Sequence, residues 1–587
     1  MRLLAPILLL VALLAGALWL DRSPPRAELV LANTAEPFSL DPQRLSYQHD
    51  VRTARALFEG LTEIDGDTGQ VRPAAAEGWS VSDDGRTWTF RLRPGLLWSD
   101  GSPLTAMDFV RAWRRAVLPD LASDYAGFLL NVRGARALFA WREAALARLA
   151  REGCDAAKAE ALWAETQRRL ASDLGLRAPD DRTLVVDLER PVPHWLQLCA
   201  FPATFPVPAA LVERFSRLDP ATGRMVQDAR WTRAGTLVGN GPYRLAEWRP
   251  KRLLRLERNE RFHGAANVAV RSIDILPVED PNTAVLAFEN GAVDWLTDTL
   301  AEYRGDMLEQ VRAGTRTNLH VLDAFGTDFF SFNCRPRLAD GRANPFADAR
   351  VRRAFALAVD KQALVDRITR LGERVAGSLV PVGALPGYTP PTGLPFDPAR
   401  AAHQLAEAGW TVRDGEVRDA AGEPFPTVEI AYPSNSPRYR DMSAAIADMW
   451  QRALGVRCAT RAREPRSLSE ALKKGDFMVA RGGWFGDYGD PTTWLELARS
   501  DDGNNDRRYA CPEYDALLDQ AQDERDPARR AQILQQAERI LVERDLPMVP
   551  ICQYVTVYMF DPSRLEGVSR HPRLEQYPGR LRLRPSR

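Results

Sequence analysis

Behind an Asp84-Gly85 turn, Trp88, Phe90 and Leu92 alternate with polar neighbours, the period of a half-buried strand. Pro94-Gly95 and Ser99-Asp100-Gly101 mark two further turns. Thr105-Ala-Met-Asp108 then reads as a capping box that opens a helix, with Phe109, Val110, Trp113 and Val117 on its buried face. Two amphipathic helices are predicted between Gly134 and Gly175, carried by Leu138, Trp141 and Leu149 and then by Leu162, Trp163 and Leu170. Strands are predicted at Glu28–Ala32, Thr183–Leu188, Arg271–Leu276, Val428–Tyr432 and Val549–Tyr554. Helices are predicted at Asn282–Asn290, as one long element across 345–370, and near Ala399–Ala408, Ser443–Leu454 and Pro527–Arg544. The pattern gives two α/β lobes with an additional α+β piece and no internal repeat.

Length changes the picture first: 587 residues exceed a single core, so two or three domains are expected. Apolar residues at 45% and charged residues at 27% are those of a globular chain, and 78 basic residues balance 78 acidic ones. With no basic excess, nucleic acid is not the expected partner. Leu3 to Leu20 is an unbroken apolar run behind Arg2, ending near Ala15-Gly16-Ala17. It fits a signal peptide cleaved after Ala17 or an uncleaved membrane anchor, and either exports the rest of the chain. Six scattered cysteines allow fifteen pairings without choosing one. Six isolated histidines and the lack of any CxxC give no metal site.

No nucleophile elbow, HExxH or P-loop is present, so nothing nominates an enzyme and no cofactor is expected. Gly239-Asn-Gly241-Pro-Tyr-Arg lacks a third glycine and has Pro242 where a helix should start, which makes it a turn before a strand. His194 and His263 read as structural histidines. The stretch RGGWFGDYGDP, Arg481 to Pro491, places three glycines and a Trp-Phe pair around Asp487. On its residues alone, Asp487 either caps a turn or meets a positively charged ligand.

The block AEGWSVSDDGRTWTFRLRPGLLWSDGSPLTAMDFVRAWRRAV resembles the most recognisable part of one family, the peptide-type (oligopeptide/dipeptide) extracytoplasmic solute-binding proteins of ABC importers. The likeness continues through GNGPYRLAEW, RNERFHG, FENGAVDW, NPFADARVRRAFALAVDK, GWFGDYGDPTTWL and NNDRRYACPEYDALLDQA, in the family's order. It implies the large three-domain form of the type II periplasmic binding protein, two α/β lobes with an inserted α+β domain. The expected division is signal or anchor 1–20, lobe I from 27–48, 183–325 and 562–587, an inserted domain 49–182 with a helical elaboration 135–175, and lobe III from 326–561.

The implied function is capture of oligopeptides between closing lobes, with hinges near 182–185 and 325–327, and delivery to permease subunits in the inner membrane by a periplasmic monomer. The resemblance carries the ammonium-binding Asp onto Asp487 and a tripeptide-carboxylate Arg onto Arg481. Gly482, Gly483 and Gly486 would let ligand backbone approach, while Trp484 and Phe485 exclude water. Tyr125 matches a peptide-bonding Tyr, Glu36 a cleft Glu and Arg438 a basic residue for longer peptides. A disulfide of the family is lost, its two positions falling on Gly326 and Phe485.

Overall fold

A computed structural model describes residues 25–45, 47–297 and 305–585. The signal or anchor segment, 1–20, lies outside the described residues.

A ten-stranded sheet runs through the molecule in the order Tyr243–Arg249, Leu253–Arg258, Ser272–Pro277, Leu29–Asn33, Trp295–Leu296, Met548–Phe560, Leu319–Phe332, Val479–Phe485, Val428–Pro433, Cys458–Arg463. Leu319–Phe332 and Met548–Phe560 pair antiparallel along most of their length and belong to both halves of the sheet. Near one end they sit beside Trp295–Leu296, and near the other Leu319–Phe332 pairs with Val479–Phe485. Their ladder breaks register between Asp323 and Thr327 and again between Asp328 and Phe329. The chain passes between the two lobes along these two strands. The second of them was expected to be only six residues long, because its polar members Gln553, Tyr554 and Thr556 interrupt the apolar run.

A separate four-stranded antiparallel sheet has the order Ala76–Val81, Thr87–Leu92, Thr183–Asp187, Leu176–Asp180. Thr183–Asp187, expected at a hinge and at the start of lobe I, is therefore an inner strand of the inserted sheet, bonded on both edges. Such a strand cannot act as a swivel. Trp88, Phe90 and Leu92 are buried as the alternation predicts. The helix Ala106–Ala116 begins at the expected box, Asp108 accepting from Thr105 N at 2.8 Å. One apolar core joins the first lobe to this inserted sheet, including Leu31, Ile273, Trp113, Phe90 and Leu184. The lobe from 333 to 547 holds two cores of its own, around Phe355 and Trp450 and around Trp494 and Leu534. The packing thus defines two bodies, the inserted sheet sharing the core of the first lobe.

The predicted helical elaboration is present as Ala135–Glu152 and Ala156–Ser172. The long helix expected across 345–370 is broken into Ala349–Leu357, Lys361–Leu364 and a wider turn to Thr369. Asp360 causes the break, because its side chain accepts from Ala363 N and caps a new start. Gly239 and Gly241 lie against Leu57 and Phe58 so closely that a Cβ would strike their main chain, and Tyr243–Arg249 follows, as a turn before a strand requires. All six cysteines are free thiols. No helix of the described residues is long and apolar enough to cross a membrane.

Candidate functional site

The strand Val479–Phe485 is paired on one edge along its whole length, from Gly326↔Phe485 to Phe332↔Val479. On its other edge Val428–Pro433 reaches only Val479 and Ala480. Among the described residues no strand lies beside that second edge from Arg481 to Phe485, so alternate N–H and C=O groups are left for another extended chain. The strand stops where Gly486 N donates to Phe325 O at 2.8 Å, and the chain turns into a loop.

Two anchors fix this loop. Asp487 N donates to Thr493 Oγ1 at 3.1 Å, at the start of the short helix Thr492–Leu495. At the other end Asp490 takes both arms of Arg530, at 2.6 and 2.9 Å. Burial opposes the Asp490 charge, but Arg530 outweighs it and holds the carboxyl well below the usual range. The main chain of Asp487 is thereby pinned while its carboxylate is left without a hydrogen bond or ion pair among the described residues. The side chain is half-buried, and burial alone pushes its carboxyl up to about 6.

The loop presses against the other body. Tyr488 stacks on His194 with centroids 4.3 Å apart and meets the edge of Phe128 at 6.1 Å. A Cβ on Gly489 would strike Arg573 and Gln197. Tyr125 packs on Phe201 at 4.5 Å, and burial followed by the Asp487 charge raises its hydroxyl to about 12. Asp487 and Tyr125 are thus brought into one another's field from opposite bodies. His194 is half-buried with its Nδ1 enclosed, and burial pushes its pKa down to about 4, so the ring is neutral where it stacks on Tyr488.

The other expected site residues stand differently. Trp484 is half-buried against the Trp494 core, and Phe485, 56% exposed, stacks on Tyr554 at 4.7 Å. The three glycines were expected to leave room for ligand main chain through their missing Cβ atoms. Their Cβ positions are filled from within the protein, Gly482 by Phe329, Gly483 by the Tyr554 hydroxyl, Gly486 by Phe325 and Trp494. Gly326 and Phe485, the two positions at which the resemblance places a family disulfide, face each other across the ladder.

Arg481 is buried and grips Asp328 with two bonds of 3.0 Å, donates to Tyr554 Oη, and lies 3.7 Å over the Tyr439 ring. Its Nη1 has no partner among the described residues. Arg438, which stands in the first turn of the helix Pro437–Leu454 and not in a loop, pairs with Glu373 and lies 3.5 Å from Asp328. Two arginines and two carboxylates therefore form one buried, electrically balanced group. Glu36 is committed within the first lobe, accepting from Trp248 Nε1 and Lys251 N, each at 2.6 Å. Asp328, Tyr554, Tyr439, Thr493 and Tyr488 were missed. Asp328 had a signal, as the lone acid in the apolar run Phe325–Phe332.

No group of His, Cys, Asp or Glu among the described residues is placed to hold a metal ion. The family pattern of the bacterial extracellular solute-binding proteins, family 5 (middle part), matches residues 70–506. The periplasmic oligopeptide-binding protein OppA of Escherichia coli K12 is 29% identical over 572 residues, covering 94% of this chain and 93% of that one. Two solved structures share the fold over 95% of this chain. One is the murein tripeptide-binding protein MppA in its unliganded open form (TM-score 0.77, 28% identity, 98% of that chain). The other is Haemophilus influenzae OppA in complex with RPPGFSPFR (TM-score 0.67, 27% identity, 99% of that chain). A match spanning well over half of the sequence, on a two-bodied fold with an unpaired strand edge at the junction, makes this chain a member of the bacterial extracellular solute-binding proteins, family 5.

Proposed function

We propose that the protein captures short peptides at the junction of its two bodies, outside the cytoplasm, and passes them to the membrane permease of an ABC importer. One observation carries the peptide reading: a half-buried, unpartnered Asp487 carboxylate beside a strand edge left open from Arg481 to Phe485. An extended peptide adding to that edge satisfies its main-chain groups whatever its side chains, and brings its ammonium to Asp487. Tyr125, Trp484 and Phe485 line the approach, and the free Nη1 of Arg481 is the donor offered to the peptide carboxylate. Arg438 and Glu36 act from behind, the first by balancing Asp328 and the second by shaping the Trp248 turn. Closure turns on the irregular ladder at 324–326 and the facing Tyr554 region. The relatives reported above, named for oligopeptides and murein tripeptide, support this ligand class. The apolar run 3–20 supports export, as a cleaved signal or as an anchor in the inner membrane.

The test is calorimetric titration of trialanine and of N-acetyl-trialanine. Removing the ammonium leaves the half-buried Asp487 without a partner, a cost of up to about 3–5 kcal/mol or several hundred-fold in affinity. Equal affinity for the two peptides overturns the assignment.

A further inference from the structure

A cavity of about 460 Å³ lies in the inserted part of the molecule, away from the junction. Its walls come from the helices Ala106–Ala116, Ala156–Ser172 and Ala209–Arg214 and the strand pair Ser216–Leu218 and Met225–Gln227. Trp163, Gln167 and Leu170 face it from one side of the second helix, at the i, i+4, i+7 spacing of a single face. Leu118, Leu121, Val207 and Val212 complete an apolar lining, and the volume is that of a small-molecule pocket.

The charges on the wall do not cancel. Arg115 is bound to Asp41, and Asp120 is held by Arg142 at 2.7 and 3.0 Å, so that both are neutralised. Arg114 and Arg111 have no hydrogen bond or ion pair among the described residues, and the Arg114 Nε is fully buried without a partner. Arg111 is exposed to solvent and lies in the field of Asp108, and the wall facing the two cations has one unpaired acid, Glu213, also exposed, so the enclosed charge is that of Arg114. Burial, with the charge of Arg111 beside it, holds the Arg114 pKa below the ordinary arginine value, the mark of a cation short of a counter-ion. Buried donors are rarely left unmade in a native fold.

We infer that this cavity is a second ligand site, taking an amphipathic anion whose acidic head meets Arg114 and Arg111 and whose apolar body fills the pocket roofed by Trp163 and Leu170. The helical elaboration is then the wall of a binding site, and its second helix supplies the face that an inserted sheet without it would lack.

The probe is laurate, added below its micellar range to the whole protein and followed by calorimetry, with dodecyltrimethylammonium as the same chain bearing the opposite charge. One laurate is expected to bind per molecule, and the cationic amphiphile to be refused. Arg114→Gln should weaken laurate about tenfold or more, Arg114→Lys should restore part of the loss, and trialanine affinity should be unchanged in both. Gln167→Trp fills the cavity from an exposed position, and should exclude laurate while leaving melting temperature and trialanine binding intact. Absence of laurate binding, full laurate affinity in Arg114→Gln and Gln167→Trp, or displacement of laurate by saturating trialanine would each overturn the site.

Discussion

Lowering the pH should loosen the peptide through a single carboxyl group. Asp487 titrates near 6 in the empty protein because burial penalises its charge and nothing nearby compensates it. An arriving ammonium supplies the missing partner and draws the bound-state pKa well below that value. The apparent association constant then falls by a factor of one plus ten raised to the difference between 6 and the pH. That factor is about 1.1 at pH 7 and about 11 at pH 5, so affinity drops about tenfold, or about 1.4 kcal/mol. The peptide amine, with a pKa near ~8, stays protonated throughout that range and does not mask the effect. At pH 6 binding should release about half a proton, visible as a calorimetric enthalpy that changes with the ionisation enthalpy of the buffer. In Asp487→Asn both the slope and the proton release should vanish. A trialanine affinity that is flat from pH 7 to 5, or that falls equally in the variant, refutes the reasoning. The same raised pKa has an opposite sign for folding: the native state holds more protons than the unfolded chain between about 4 and 6, so the empty protein gains stability from this residue as pH falls through that window.

Asp328→Asn leaves Arg481 and Arg438 buried against a single remaining carboxylate. It should destabilise the 333–547 lobe by about 3–5 kcal/mol in urea unfolding, and a loss under 1 kcal/mol would show that the group is not held by that charge. Gly483→Ala drives a methyl into the Tyr554 hydroxyl and should cost about 1–3 kcal/mol, with Gly483→Ala/Tyr554→Phe recovering part of it in the same assay. Glu36→Ala strips acceptors from Trp248 Nε1 and Lys251 N, so the melting temperature should fall by an amount worth about 1–3 kcal/mol while trialanine affinity holds. A selective loss of affinity would move Glu36 into the ligand's contact set.

The periodic elements were legible because their burial is local. The Trp88-Phe90-Leu92 alternation, the Thr105–Asp108 box and the two helices between 135 and 172 follow from neighbours along the chain. The strand that crosses between the lobes was seen only in part. Gln553, Tyr554 and Thr556 break the apolar pattern, and their burial beside the long strand Leu319–Phe332 comes from tertiary pairing that no window of sequence shows. The hinge at 182–185 failed for the same reason, since only tertiary pairing reveals Thr183–Asp187 as an inner strand. At the site, Asp487 stood out through its glycine and aromatic surroundings. The partners that decide what Arg481 and Arg438 can do lie 65 to 153 residues away along the chain, in Glu373 and Asp328. The glycines of 482–486 were read as room for ligand main chain, whereas their Cβ positions are taken by the protein's own aromatic side chains.

The most direct measurement is a crystal structure of the protein with trialanine. The peptide should lie extended along Arg481–Phe485, main chain to main chain, with its amine nitrogen about 3 Å from the Asp487 carboxylate. A peptide bound with its amine elsewhere, and Asp487 left facing water, would contradict the account.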